Sequence, residues 1–154
     1  MDSYYKASSL LRRLFEEDTT NVHTIIHDSS TEIDADIYKA NIMPLVQIIP
    51  TPAALDPNVT IISFDVTMMN IRDISNDTLT DKFTGQDNFI DNMNMCLGVF
   101  RRVMNKLRRP NEFNIILGVY TRATPGVLEG PNLLDGWTMN IELQVPNNVN
   151  NACE

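Results

Sequence analysis

The pattern of apolar and polar positions is clearest near the end of the chain. There Trp137, Met139, Ile141, Leu143 and Val145 alternate with Thr138, Asn140, Glu142 and Gln144. A period of two places the first set on one side of a strand and the second on the other, so the segment predicts a strand in a sheet with one dry and one wet face. Pro146 closes it. A second alternation runs from Thr60 to Asn70, with Ile62, Phe64, Val66 and Met68 on one side and Ser63, Asp65 and Thr67 on the other. Helical spacing appears twice. Tyr4, Leu11, Leu14 and Phe15 predict a helix over about residues 3–17, with Arg12, Arg13, Glu16 and Glu17 outside the stripe. Phe89, Met93, Cys96, Leu97, Phe100, Val103, Met104 and Leu107 predict the longest helix, over 87–109, stopped by Pro110. Asp87 and Asp91 at its start and Arg101, Arg102, Lys106, Arg108 and Arg109 toward its end suit the helix dipole.

Weaker signals fill the rest. The β-branched stretch Asn21–His27 and the run Leu45–Ile49, bounded by Pro44 and Pro50, read as strands, the second ending at Pro50 or lying at an edge. Thr51–Asn58 reads as a loop or hairpin connection, Phe113–Thr121 as a strand, and Arg122–Pro131 as a Gly- and Pro-rich loop. Glu32–Ala40 is polar and ambiguous. Residues 72–86 are rich in Asp, Asn, Ser and Thr and long for a compact domain, which makes them a candidate contact arm. A mobile tail is expected from about Asn147. The order predicts one domain over residues 1–154, of the α+β class. Its mainly antiparallel sheet has four to five strands, with the N-terminal helix and the long helix packed on one face. No internal repeat is visible.

Composition narrows the function more than the fold. Hydrophobic residues at 43% and charged residues at 21% are ordinary globular values and argue against a disordered chain. The net charge of −8 and pI of about 4.6 argue against specific nucleic-acid binding, which needs a basic footprint. The basic end of the long helix is accounted for by the helix dipole, or by contact with an acidic neighbour. Two distant cysteines, Cys96 and Cys153, make no disulfide framework, and Cys96 reads as a small buried hydrophobe. The opening MDSYYKASSLLRRLFEED lacks the apolar core of a signal peptide, and no run is long enough to span a membrane. The sequons at Asn58 and Asn76 then have no pathway to act in, and a chain made in a reducing cytoplasm is expected.

The search for chemistry finds little. His23 and His27 share one side of a strand but have no third ligand at a fixed spacing. Asp73, Asp77, Asp81, Asp87 and Asp91 lack the ligand order of an EF-hand, so a solvated loop and helix-start acids explain them without an ion. No phosphate-binding glycine motif and no nucleophile elbow occur. The expectation is a non-enzyme with no cofactor and no metal. A small metal-dependent enzyme using the Asp cluster and a stand-alone protein-binding module are the alternatives.

Several short stretches recur in an order that resembles a known family. They are Glu32-Ile33-Asp34, Pro44-Leu45, Asp65-Val66, Asp73 with Ser75-Asn76, and Leu134-Asp135-Gly136-Trp137 through Val145-Pro146-Asn147. In this spacing the chain, from about Glu32 to Cys153, resembles the small tail-terminator or neck ring proteins of tailed phages of Bacteroidetes, crAss-like phages included. It departs from them at Arg122–Pro131, where a Pro-Phe-Thr stretch would precede the Gly-Trp. The resemblance implies a structural virion protein made in the host cytoplasm. It would form a homo-oligomeric ring against neighbouring neck, portal-side or tail proteins, with no catalytic residues and with DNA passing through an acidic lumen. The surfaces expected to meet neighbours are Asp73, Asn76, Asp77 and Asp81 of the polar loop, Arg101 and Arg108 of the long helix, Asn140 and Glu142 of the last strand, and Asn147 and Asn148 after it.

Overall fold

The computed structural model describes residues 2–18, 21–27, 43–72, 89–128 and 134–147. Helix α1 (Ser3–Glu16) is followed by strands β1 (Thr24–His27), β2 (Leu45–Leu55) and β3 (Val59–Ile71), helix α2 (Phe89–Leu107), and strands β4 (Ile116–Tyr120), β5 (Thr124–Leu128) and β6 (Leu134–Pro146). The fold is α+β. The strands form one six-stranded sheet in the order β1-β2-β3-β6-β4, with β5 also paired to β6. Only β1 and β2 run parallel; the other ladders are antiparallel. Among the described residues no helix is long and apolar enough to cross a membrane.

The centre of the sheet is the β3–β6 ladder, which runs unbroken from Val59↔Pro146 to Ile71↔Leu134. Its two alternations coincide, so Ile62, Phe64, Val66 and Met68 lie on the same side as Met139, Ile141, Leu143 and Val145. Both helices pack on that side. Leu10, Leu11, Leu14 and Phe15 of α1 and Cys96, Val99, Phe100, Val103 and Leu107 of α2 join these strand residues in one buried core, with Phe15 and Phe100 edge-to-face at 6.1 Å between centroids. Charged pairs lash the helices together at their rims: Arg102 to Asp18 at 2.6 Å and Lys106 to Glu17 at 2.8 Å, with Arg13 bonded to Glu112 beyond. These pairs are solvated, so each adds about 1 kcal/mol at most and mainly sets the angle. Two of the helix-end cations are thus held by α1 and do more than complement a dipole.

The opposite face is polar along most of its length. Thr67 and Thr138 share a hydroxyl hydrogen bond of 2.8 Å, and Asn140 Nδ2 donates to Asp65 Oδ1 at 2.8 Å. At one end it turns apolar, where Met43, Leu45, Met69 and Leu134 form a second small cluster.

Three elements differ from the sequence expectation. First, β2 does not end at Pro50; it continues to Leu55 with a bulge between Thr51 and Ala54. β1 covers β2 only as far as Ile48, so among the described strands Pro50 and Pro52 lie on an edge, the other expectation for this run. Second, Arg122–Pro131 holds β5, with Pro125 and Gly126 inside it. β4 and β5 are one interrupted strand along the free side of β6. Leu117 pairs with Leu143, Tyr120 with Ile141 and Thr124 with Thr138, so one extra residue is accommodated at each interval. These slips give the sheet six strands, not four to five. Third, Asn147 is no free start of a tail. Its backbone N–H and side-chain amide donate to the carbonyls of Asn58, Asp56 and Pro57, and its Oδ1 accepts from Thr60 Oγ1. It locks the β2–β3 turn to the end of β6. The expectations for Glu32–Ala40, for most of the polar loop and for the tail after Asn147 lie outside the described residues.

Gly136 is required by contact rather than by flexibility. A Cβ there would stand 1.9 Å from the Met68 carbonyl oxygen and 2.9 Å from Met69 Cα. Gly136→Ala must therefore push β6 off β3, and a loss of about 2–3 kcal/mol is expected in urea unfolding. A change under about 0.5 kcal/mol would mean that the strands are not pressed together at this point.

α1 also contacts the edge of the sheet through Tyr4, whose hydroxyl lies 2.6 Å from His27 Nε2, both rings packing on Phe64. Burial, with Arg12 nearby, holds the His27 pKa below its ordinary 6.5. The unfolded chain then takes up this proton before the folded one does. Stability is expected to fall as pH drops through 6.5 and toward the lower folded value. His27→Phe should remove that part of the pH dependence, read as Tm against pH for the two proteins.

Candidate interaction surface and its polar clamp

The most ordered polar site in the molecule lies where β3 ends, β6 begins and α2 begins. Asp135 is 0% exposed on the helix-facing side of β6. Arg72 meets it with two hydrogen bonds, Nη2 to Oδ1 at 2.6 Å and Nε to Oδ2 at 3.1 Å. Asn92 of α2, also buried, donates through Nδ2 to the Ile71 carbonyl at 3.0 Å and to Asp135 Oδ2 at 3.3 Å. Its Oδ1 accepts from Asn70 Nδ2 at 3.0 Å, and Asn70 Oδ1 accepts from the Ile71 N–H. The Arg72 guanidinium lies 4.8 Å from the centroid of the Phe89 ring. One residue pair along β6, the Trp137 indole N–H donates to the Met93 carbonyl of α2 at 2.9 Å, its ring half-buried against the core.

Among the described residues this network presents no free nucleophile, and its chemistry is that of a clamp. It pins Arg72 beside Phe89, so the two ends of segment 73–88 leave the body at one point. Cys96, in the same region, is fully buried. Burial, with the Asp135 charge adding to it, pushes its thiol up to about 12, far from thiolate chemistry near neutrality. His23 lines a shallow depression with Arg12, Glu16 and Val22, apart from the Tyr4–His27 pair. Among the described residues no three His, Cys, Asp or Glu side chains are grouped to hold a metal.

The residues expected to meet neighbours are not brought into one patch. Asp73, Asn76, Asp77, Asp81 and Asn148 lie outside the described residues. Asn140 and Glu142 are half-buried on the polar face, where Asn140 also reaches Thr51 Oγ1 at 3.4 Å and is occupied within the sheet. Asn147 is occupied by the β2–β3 turn. Arg101 is exposed on α2. Arg108 is the one that marks a surface. It donates to the Tyr120 hydroxyl at 3.0 Å and to Asn105, and lies over the Tyr120 ring.

That surface was missed from the sequence. It is a groove of about 520 Å³ between the end of α2 and β4, bordered by Leu107, Arg108, Arg109, Ile116, Leu117 and Tyr120. Its floor is set by a rigid turn. Asn111 Oδ1 accepts from the Phe113 and Ile115 N–H groups, and Asn114 takes a φ of 55°, a left-handed position that asparagine tolerates. Next to the groove β4 exposes Ile116 (64%), Val119 (68%) and Tyr120 (46%), and no other described strand pairs with its outer side. The signal was present in Ile115–Tyr120, a run too apolar for its length to be solvated on both sides.

Removing Asp135 takes away the carboxylate to which Arg72 and Asn92 both donate in a largely buried site. Asp135→Ala is expected to cost about 3–5 kcal/mol, while Asp135→Leu with Arg72→Met should recover much of it. Equal losses in the single and double variants, measured by urea unfolding, would show that the ion pair is not what makes the site sensitive.

Comparison of the chain with protein-family models and with curated protein sequences found no match.

Proposed function

We propose that this chain is a structural, non-catalytic subunit that associates with copies of itself into a ring, in the neck or at the tail end of a tailed-phage virion. The observation that carries the reading is the outer side of β4, which no other described strand covers. Three large apolar side chains stand exposed on five residues, without the lysine or proline that usually protects an edge strand. β5, by contrast, carries Pro125 and Gly126. The bulges in β4–β5 work against simple strand addition, so the contact is made by Ile116, Val119 and Tyr120 side chains.

The geometry also favours association in one direction. The two edges of the sheet are unlike: β1 is short and parallel to its neighbour, β4 is antiparallel and apolar. Unlike surfaces pair head-to-tail, and a head-to-tail contact closes into a ring when its rotation allows. The phage setting rests on the order of short motifs that resembles the neck proteins. The clamp accounts physically for the strongest of them: Asp135 takes the ion pair, Gly136 the close strand contact, and Trp137 the helix carbonyl.

Light scattering on the purified chain, alone and with virion neck or tail proteins, tests the reading. A ring-sized species is expected, and Val119→Lys with Ile116→Lys should return it to monomer with an unchanged Tm. A strict monomer that never enters purified virions would sink the proposal.

A further inference from the structure

Charge without a partner and exposed apolar surface coincide at two places on the body, on opposite sides of the sheet. The described residues contain ten Lys and Arg against ten Asp and Glu, so this part of the chain is neutral and the net charge of −8 belongs to the rest. Within it, Arg12, Arg13, Arg72, Arg102 and Lys106 each have a carboxylate partner. Arg108 and Arg109, which border the groove beside β4, have none among the described residues. Asp56, in the turn between β2 and β3, takes part in none of these ion pairs. Leu55, just before it, is 84% exposed.

Building on the ring reading, we infer that the β2–β3 turn of one copy, through Leu55 and Asp56, docks in the groove beside β4 of the next copy. The side of the sheet away from β4 is made of two strands. β1 covers β2 from Leu45 to Ile48, and the stretch from Pro52 to Leu55 is exposed beyond it. One row of paired residues crosses the sheet from that stretch to the groove: Ala54 opposite Ile61, Ile61 opposite Gln144, and Gln144 opposite Ile116. The open part of β2 and the groove therefore lie at one level, on opposite sides. Leu55 is one residue beyond Ala54, opposite Thr60, which pairs with the buried Val145, so it stands on the helix-facing side. Leu117 and Tyr120 of the groove stand on that side too, opposite Leu143 and Ile141.

The two surfaces are complementary in charge and in character. On one side a carboxylate follows an exposed leucine; on the other, two guanidinium groups border a groove walled by Leu117 and the exposed Tyr120. Joining them pairs both kinds of group at once. The turn cannot fill the groove of its own copy. β3 and β6 stand between β2 and β4, so three strand spacings, about 14 Å, separate the two. Asn147 also holds the turn in place, through the Asp56 and Pro57 carbonyls. The contact is therefore made between copies, one surface against an unlike one. Because both lie at one level, copies add side by side without a large shift along the strands, the arrangement in which a head-to-tail contact can close.

Light scattering on the full chain and its variants over a range of concentrations tests the contact. Leu55→Asp, at a side chain that stands in solvent in the single copy, should return the assembly to monomer with Tm unchanged. Asp56→Arg and Arg108→Glu/Arg109→Glu should each raise the concentration needed for assembly at least about tenfold. Arg109→Glu alone should act in the same direction. An equimolar mixture of Asp56→Arg with Arg108→Glu/Arg109→Glu should assemble again, because each variant offers the charge that the other lacks. Loss of assembly in both with no recovery on mixing puts the two charges in separate contacts and overturns the inference. Assembly of Leu55→Asp and Asp56→Arg equal to that of wild type also overturns it and leaves the ring standing. A wild-type chain that is monomeric at every concentration, alone and with virion neck or tail proteins, removes the ring and this contact together.

Discussion

The buried ion pair between Arg72 and Asp135 is the constraint on which the rest of the structure depends. A carboxylate with no exposed surface is tolerable only when its charge and lone pairs are met. Here Arg72 meets it with two hydrogen bonds and Asn92 with a third. Those partners come from the end of β3 and the first turns of α2. The pair therefore fixes three things at once: the register of the central ladder, the position of the long helix on the sheet, and the point where segment 73–88 leaves and returns. Continuous hydrophobic packing holds the helices to the sheet, but apolar contacts tolerate sliding. The polar clamp does not.

The fold was legible where one periodicity ran long enough to be read. The alternations around Phe64 and Ile141 and the stripe around Phe100 locate β3, β6 and α2 because each buries one continuous face, while the pairing of β3 with β6 was not read from them. The misses share a cause. Pro50, Pro125 and Gly126 are read as breakers from local chemistry, yet each takes a place in a ladder, opposite Phe64, Trp137 and Gly136 in turn. Whether a proline lies on an open or a paired side is a tertiary fact.

The clamp was hidden for a different reason, and its signal was available. Asn92 precedes Cys96 and Val99 at helical spacing, so it belongs to the buried stripe in place of the exposed Leu97. Asp135 precedes Trp137, Met139 and Ile141 at period two, so it belongs to the dry face. A polar residue in phase with a core pattern is easily read as the pattern's end. Two such residues at the ends of elements that must pack together are better read as partners.

Separation of charge from fold also bears on the solution behaviour of the chain. A neutral body with an apolar edge strand, alone, would aggregate along that edge. Acidic segments outside the body give every copy the same sign at long range, which keeps unassembled chains apart at low concentration. At short range Arg108 and Arg109 beside β4, which have no carboxylate partner among the described residues, reverse that sign over a small area. Arginines with no carboxylate partner among the described residues and exposed apolar side chains thus lie together beside one strand, β4.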